Sequence, residues 1–217
     1  MQNDKSKFKN NSKNSDIQPE IFRAYDVRGI FPDELNEEVA YKVGQALVQF
    51  LHQPTNYESK LITNIRNSKK FVIGRKHIVV GRDCRLSSPK IFKAFANGVI
   101  DQGADVIDIG LVPTDAVYFA LNFLNADAAA MITASHNPPQ YAGIKMVARG
   151  PKYICGDWGI PEIKKMVCEG RIPSETRSLR GETLKKNIIP DYVKHILKTA
   201  QHLDILPLYY VYHDRSN

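Results

Sequence analysis

Residues 77–109 read HIVVGRDCRLSSPKIFKAFANGVIDQGADVIDI, and they decide the fold class. Two short, largely apolar runs, His77–Gly81 and Ala104–Ile109, have the length and composition of buried strands. Between them, Ser88 and Pro89 predict a helix start, because proline is favoured in the first turn after an N-cap serine. Apolar residues then follow at helical spacing: Phe92, Phe95, Ala96 and Val99. This strand–helix–strand unit is typical of α/β proteins.

The same alternation extends in both directions along the chain. Further helices are predicted at residues 35–51 (with Asn36 as N-cap), 113–124, 161–169 and 190–201, and further strands at residues 127–134, 143–147 and 204–212. We therefore expect an α/β fold, a three-layer α/β/α domain with a mostly parallel, mixed sheet and helices on both faces. Residues 52–76 show no clear period and are expected to form a loop or an insertion.

The pattern divides the chain into three regions. Residues 1–18 are rich in Asn, Lys and Ser and are expected to be a disordered tail, because they cannot bury apolar surface. Residues 19–186 are predicted to form the α/β/α domain. Residues 187–217 are predicted to be the first elements of a second, truncated domain, since the strand expected at 204–212 is followed by almost nothing that could cover it.

Composition and charge restrict the possible partners. The chain has 217 residues, of which 43% are hydrophobic and 24% charged, and its net charge is +7. Basic residues are enriched in four separate segments, at residues 5–13, 66–76, 164–171 and 177–186. Because these segments are dispersed and contain no recognisable nucleic-acid-binding motif, we expect a solvated surface and no nucleic-acid partner. A basic pocket for a phosphorylated metabolite is also compatible with this charge.

Neither a membrane nor an export pathway is indicated. No apolar run approaches the roughly 18–20 residues of a membrane span, and the N-terminus lacks the apolar core of a signal peptide. The sequence therefore predicts no membrane partner and a cytoplasmic location. The three cysteines, Cys84, Cys155 and Cys168, have no CxxC spacing and are expected to be free thiols.

A second stretch, AMITASHNPP at residues 130–139, holds the candidate chemistry. The predicted strand ends in Ser135, His136 and Asn137, followed by two prolines. The prolines fix two φ angles and remove two N–H donors, so the loop is expected to be stiff and to present Ser135. Strand ends of this kind are where the active sites of α/β proteins gather. A plain turn formed by Ser135 and Asn137 remains an equal alternative on this pentapeptide alone.

Three kinds of serine or phosphate chemistry could use such a loop. A serine hydrolase needs a GxSxG elbow, which is absent, and His136 is expected to be a poor base because neighbouring side chains on extended backbone point apart. A nucleotide-binding P-loop is excluded because no GxxxxGK[ST] occurs. A serine that carries a phosphoryl group remains, and it would need cations nearby. Candidate cations lie in FRAYDVRG at residues 22–29 and in GIK at residues 143–145.

Four ordered blocks carry a family resemblance: FRAYDVRG, GRDCRLSS, ITASHNPPQYAGIKMV and IIPDYVKHI. Together they resemble the α-D-phosphohexomutases, especially the bacterial phosphomannomutase/phosphoglucomutases, over residues 20–212. The resemblance implies an isomerase that acts by intramolecular phosphoryl transfer. Its phosphoserine donates to a hexose 1-phosphate, forms a 1,6-bisphosphate and recovers the other phosphoryl group. The implied cofactors are Mg²⁺, held by the phosphoserine and three aspartates, and a hexose 1,6-bisphosphate activator.

Matched positions give the implied roles. Ser135 is the phosphoryl carrier and, through its phosphate, one metal ligand. Arg28 and Lys145 handle the hydroxyl proton and the transferring charge, and they contact the phosphorylated hexose together with Tyr25. His136 is the catalytic neighbour in the loop. Three further arginines are expected either to tie loops together or to touch phosphate: Arg23, Arg82 and Arg85.

The chain also departs from the family pattern. Ala142 stands where the family usually has Asn, and Gln140 replaces a common acidic residue, so we expect a looser serine loop. No D-x-D-x-D metal loop occurs, and the family's sugar-recognition loop and phosphate cradle have no counterpart. We therefore expect the N-terminal part of a mutase, inactive alone. It would come either from a truncated or frameshifted reading frame, or from a split gene whose second polypeptide carries the missing domains. The alternative is an inactive remnant or a non-enzymatic partner of another mutase fragment.

Overall fold

The computed structural model describes residues 17–53, 75–150, 152–172 and 180–201. Within these residues the chain forms a seven-stranded sheet and five α-helices. In chain order they are β1 (Val27–Ile30), α1 (Glu37–Leu51), β2 (His77–Arg82), α2 (Ser88–Asp101), β3 (Asp105–Leu111), α3 (Thr114–Phe123), β4 (Ala128–Ile132), β5 (Tyr141–Ala148), β6 (Lys152–Tyr153), α4 (Ile160–Cys168), β7 (Thr183–Lys185) and α5 (Ile189–Gln201).

The sheet is mixed but mostly parallel, as predicted. Its strand order is β1-β5-β4-β2-β3-β7, and β6 pairs with β5. Strands β4, β2, β3 and β7 pair in parallel, whereas β5 pairs antiparallel with β1, β4 and β6. Strand β5 therefore runs against the direction that the other described strands share.

Helices cover both faces of this sheet and confirm the predicted three layers. Successive residues of a strand point to opposite faces, so Ile78 and Val80 contribute to one core and Val79 to the other. Helices α1, α2 and α4 supply the first core, and α3 supplies most of the second. The first core contains buried aliphatic and aromatic side chains. The buried residues of the second core are aliphatic apart from one methionine, and the aromatic rings packed against them are only partly buried.

Helix starts show where local sequence signals succeed and fail. Asn36 caps α1 as predicted, since its side-chain oxygen accepts from the Val39 N–H at 3.0 Å. The prediction of Ser88 as the N-cap of α2 is wrong by one residue, because Ser87 is the cap and Ser88 is the first helical residue. The Ser88 hydroxyl instead donates to the Asp83 carboxylate in the loop after β2.

Three short strands were not predicted: β1, β6 and β7, of four, two and three residues. Segments this short show no period of their own and become strands by pairing with a longer neighbour. Strand β5 is also longer than predicted, extending over Tyr141–Ala148.

Several of the predicted segments lie beyond the described residues. The predicted strand at 204–212 and nearly all of the 1–18 tail and the 52–76 insertion lie outside them. At the other predicted boundary, Ile188 is fully buried in the second core, and Tyr192 of α5 packs beside Phe119 of α3 with ring centres 5.6 Å apart. The three cysteines are free, as expected. Among the described helices, none combines the length and apolar character needed to cross a bilayer.

Candidate active site

Ser135 follows β4 in a tight turn and is exposed. Its φ of +56° lies in the left-handed region, which a residue other than glycine adopts at a cost of about 1–3 kcal/mol. The turn is held by its own polar groups: the Ser135 N–H donates to Thr133 Oγ1 at 2.9 Å, and the Asn137 side chain donates to the Ala134 carbonyl at 2.7 Å. Ser135 and Asn137 therefore form a turn, and that turn also leaves the serine exposed. The two interpretations of this loop, a plain turn and a functional serine, are compatible.

His136 lies against the serine that precedes it. Its Nδ1 is 3.3 Å from Ser135 Oγ, so the prediction that the two side chains point apart is wrong. That prediction assumed extended backbone, and the left-handed φ of Ser135 rotates one side chain towards the other. His136 is therefore within reach of the serine proton, although both side chains are exposed.

Arg28 and Lys145 meet at one carboxylate. Asp26 is 1% exposed, and its Oδ2 accepts from Lys145 Nζ at 2.8 Å and from the Arg28 guanidinium. Two cations and one carboxylate leave this cluster a net charge of +1. The ion-pair partner of Lys145 is thus a buried carboxylate that it shares with Arg28. Arg28 Nε is buried and has no hydrogen-bond partner among the described residues.

The sheet register brings this cluster to the serine loop. Arg28 of β1 pairs with Gly143 of β5, and the Gly143 carbonyl accepts from the Thr133 N–H at 2.9 Å. Two strand spacings, roughly 10 Å, therefore separate Arg28 from Thr133, two residues before the serine. Residues 26, 28, 143 and 145 alternate onto one face, which gathers the cations on that side.

Two cavities flank the serine loop. One, of about 450 Å³, is lined by Ser135, by Asp83 and Arg85 after β2, and by Thr114 at the start of α3. The other, of about 370 Å³, is lined by Arg23, Tyr25, Asp26, Arg28 and Tyr141. Asn137 lines both. Within the described residues, neither cavity unites Ser135 with Arg28, and Lys145 lines neither.

The other candidate residues fall into two groups, those that line the smaller cavity and those that bind other parts of the chain. Tyr25 is 78% exposed at the mouth of the smaller cavity, and Arg23 lines the same cavity and is exposed. Arg82 is tied to Asp108 at 3.0 Å and lies over the Phe92 ring, so it joins structural elements. Arg85 binds the serine loop itself.

One residue that matters here was not singled out from the sequence. Asp26 lies inside the quoted FRAYDVRG block, two residues before Arg28, and its burial was not visible in the pattern. The expected loosening at Ala142 is also placed differently by the structure: Ala142 is buried inside β5 opposite Gly29, and Asn137 supplies the amide that braces the loop.

The described residues do not by themselves form a metal site. No group of three or more His, Cys, Asp or Glu side chains able to hold a metal ion occurs among them. Asp83, a carboxylate that shares the larger cavity with Ser135, already accepts from Arg85 and Ser88. A Mg²⁺ ion needs several oxygen ligands in near-octahedral geometry, so the donor set found in this part of the chain does not fit it.

Comparison with known proteins gives a consistent result. Residues 19–157 match the family model for phosphoglucomutase/phosphomannomutase, alpha/beta/alpha domain I. The chain is 35% identical over 187 residues to a phosphomannomutase of Vibrio cholerae, which covers 86% of this chain and 36% of that protein. A phosphomannomutase sequence of Klebsiella pneumoniae is 37% identical over 172 residues, covering 79% of this chain and 96% of that sequence.

A solved structure agrees with these sequence matches. It is a phosphoglucomutase/phosphomannomutase family protein of Burkholderia thailandensis, with a TM-score of 0.66 and 32% identity. The similarity covers 84% of this chain and 36% of that one. The chain thus spans about a third of the length of the Vibrio and Burkholderia proteins.

Proposed function

The chain belongs to the phosphoglucomutase/phosphomannomutase family, and from this premise we propose that it is the phosphoserine-bearing part of a phosphohexomutase. In the complete enzyme it would interconvert hexose 1-phosphates and 6-phosphates, of mannose or glucose, through a 1,6-bisphosphate. Ser135 is the proposed phosphoryl carrier. The cytoplasm, where phosphorylated hexoses are metabolised, is the proposed location.

One observation carries the proposal. An exposed serine stands in a strained turn at the end of β4. Lys145 of the neighbouring strand β5 and Arg28 of β1, the strand beyond it, share one buried carboxylate. Phosphoryl transfer depends mainly on positioning and on neutralising charge, which fixed cations beside a fixed hydroxyl can provide. The buried Arg28 Nε, without a partner among the described residues, supports a role in binding a phosphate oxygen.

The proposed phosphoryl transfer has two halves. In each half of the cycle the P–O bond to Ser135 or to a sugar oxygen breaks while the other forms, and one proton passes from the attacking hydroxyl to the leaving oxygen. The 3.3 Å contact between Ser135 Oγ and His136 Nδ1 supports His136 in moving that proton. Arg28 and Lys145 are assigned to the charge of the phosphoryl group, and Tyr25 to the sugar.

A second polypeptide belongs to this proposal. The described residues lack a Mg²⁺ site, so the remaining metal ligands would come from protein outside them, with the phosphate of Ser135 as one ligand. When bound, that ion supplies charge neutralisation at the phosphoryl group. Helix α5 leaves apolar side chains exposed on its outer face, Val193 at 48%, Ile196 at 47% and Leu197 at 59%, which supports contact with further protein.

Phosphoryl uptake tests the proposal directly. The purified chain is incubated with glucose 1,6-bisphosphate and Mg²⁺, and the added phosphate is located by peptide mass spectrometry. We expect one phosphate, on Ser135, and none in Ser135→Ala. Ser87→Ala is the matched control, because the Ser87 side chain is buried and makes no capping hydrogen bond to α2, and it should leave labelling unchanged. Label that persists in Ser135→Ala would refute the assignment.

The alternative of a non-enzymatic remnant predicts a different result. A remnant would take no phosphate from the bisphosphate, either alone or after addition of the C-terminal two thirds of a mutase such as the Vibrio protein. The proposed function predicts labelling in at least the second condition.

A further inference from the structure

Arg85 holds the serine loop by its backbone. Its Nη2 donates to the carbonyls of Ser135 at 2.7 Å and Asn137 at 2.6 Å, and its Nη1 donates to the carbonyl of Pro138 at 2.8 Å. A longer contact of 3.4 Å reaches the carbonyl of Tyr141. One planar guanidinium therefore spans the loop from the serine to the start of β5.

The guanidinium is itself held in place. Its Nε donates to Asp83 Oδ2 at 3.2 Å, and Asp83 Oδ1 accepts from the Arg85 N–H at 3.1 Å and from the Ser88 hydroxyl. The loop after β2 is also joined to the serine strand, since the Asp83 N–H donates to the Ile132 carbonyl at 3.0 Å. Arg85 thus connects the serine loop to the start of α2.

Arg149 also binds backbone carbonyls beside a residue with a positive φ, but far from the serine. Within the described residues two residues other than glycine have a positive φ, Ser135 and Asn125. The carbonyl of Asn125 accepts from Arg149 Nη2, and Arg149 Nε donates to the Ala126 carbonyl at 3.0 Å. Arg149 follows β5, which runs antiparallel to β4, so it lies at the end of these strands opposite to the serine loop. Arg149 therefore offers a chemically matched control.

We propose that Arg85 is a positioning residue for phosphoryl transfer, which holds Ser135 in its left-handed conformation and thereby fixes the direction of its hydroxyl. This inference rests on the proposed role of Ser135. Arg85 acts through the loop carbonyls and is not assigned a contact with substrate. Its charge also stays beside the serine, in the cavity that Ser135, Asp83 and Thr114 line.

Hydrogen–deuterium exchange of the whole 217-residue chain tests the positioning role without any reaction. The amides of Ser135, Asn137 and Tyr141 each donate within the loop and report its order. We expect Arg85→Gln to raise their exchange rates about tenfold or more, since local opening becomes easier, while amides of β2 stay unchanged. Arg149→Gln should leave the three loop amides unchanged.

The conservative variant keeps the test valid if Arg85→Gln folds poorly. Arg85→Lys retains the charge but provides one ammonium in place of a planar guanidinium. The exchange rates of its three loop amides should therefore lie between those of the unaltered chain and those of Arg85→Gln. Phosphoryl uptake from glucose 1,6-bisphosphate is the second readout. We expect the maximal rate in Arg85→Gln to fall by roughly 100-fold, because a misplaced hydroxyl slows the transfer step. The half-saturating concentration of the bisphosphate should stay unchanged, because its binding does not depend on the direction of this hydroxyl.

The outcomes separate this inference from the proposed function. Loop exchange in Arg85→Gln equal to that of the unaltered chain, or raised equally by Arg149→Gln, overturns the positioning role. A normal maximal rate in Arg85→Gln also overturns it. If the unaltered chain takes no phosphate in the presence of a complementing mutase fragment, the proposed function fails, and the exchange data still decide whether Arg85 holds the loop.

Discussion

Asp26 and Lys145 lie 119 residues apart in the chain, yet their side chains form an ion pair with 2.8 Å between Oδ2 and Nζ. The antiparallel pairing of β1 with β5 creates this contact, because it sets Val27 opposite Ile144. The same carboxylate oxygen binds Arg28, so one buried acid orients both cations of the candidate site.

Asp26→Asn should destabilise the chain and disorder both cations. Replacing a buried carboxylate by a neutral amide costs about 1–3 kcal/mol, because here two cations lose their charged acceptor. Chemical denaturation measures the loss. Glu38→Gln is the control, since Glu38 pairs with Lys42 at the same 2.8 Å but is 52% exposed, and such helix-surface pairs contribute about 0.3–0.5 kcal/mol. Equal losses in the two variants would show that burial of Asp26 has no energetic consequence.

Gly143→Ala should be strongly unfavourable. An added Cβ would lie 2.5 Å from the Thr133 carbonyl oxygen and 3.2 Å from that of Val27, so the strands on both sides must move apart. Overpacking of this kind costs about 1–3 kcal/mol, which a thermal or denaturant melt detects. In Gly156→Ala the new Cβ would be 3.3 Å from Ala24 Cα, and a smaller loss is expected. A Gly143→Ala chain as stable as Gly156→Ala would contradict this packing argument.

His77 should make stability fall in mild acid. Burial lowers the pKa of His77 below 6.5 and outweighs the opposing effect of the Asp127 and Asp105 carboxylates, while Arg149 and Arg75 lower it further. The unfolded chain therefore binds the proton more readily, and the free energy of unfolding should decrease as pH falls below 6.5. The measurement is denaturant unfolding at several pH values from 7.5 to about 5, with the histidine titration followed by NMR.

The control for this pH dependence is His77→Gln, which removes the titrating group. Its unfolding free energy should change less than that of the unaltered chain over the same range. Parallel pH profiles for the two proteins, or a His77 titration midpoint above 6.5, would contradict the assignment.

The chain alone should have little mutase activity. Positioning of substrate contributes roughly 7–11 kcal/mol of barrier lowering in enzymes, and the described residues provide one side of a site without a metal cluster. A coupled assay with glucose 1-phosphate, bisphosphate and Mg²⁺ is expected to give turnover far below the usual enzyme range, whose lower end is about 1 s⁻¹. Turnover at or above that value without added protein would show that no further polypeptide is needed.

The long elements of the fold were predictable because each carries its own signal. The helix at 35–51 shows helical spacing and an Asn36 cap, and the strands at His77–Gly81 and Ala104–Ile109 are apolar runs of strand length. Short segments such as β1, β6 and β7 depend on a partner strand for their hydrogen bonds, so the sequence could not mark them. The misplaced cap of α2 has a similar cause, since Asp83 binds Ser88.

The sequence by itself determined the fold class, the family resemblance and which side chains could carry the chemistry, because the serine loop and the FRAYDVRG and GIK blocks are contiguous patterns. The tertiary structure alone decided how they are arranged. The left-handed turn at Ser135 brings His136 to 3.3 Å, Arg85 is directed to the loop carbonyls and not to open solvent, and Asp26 is buried between two cations. These contacts join residues distant in the chain or depend on one φ angle, and neither property is encoded in a local pattern of residue types.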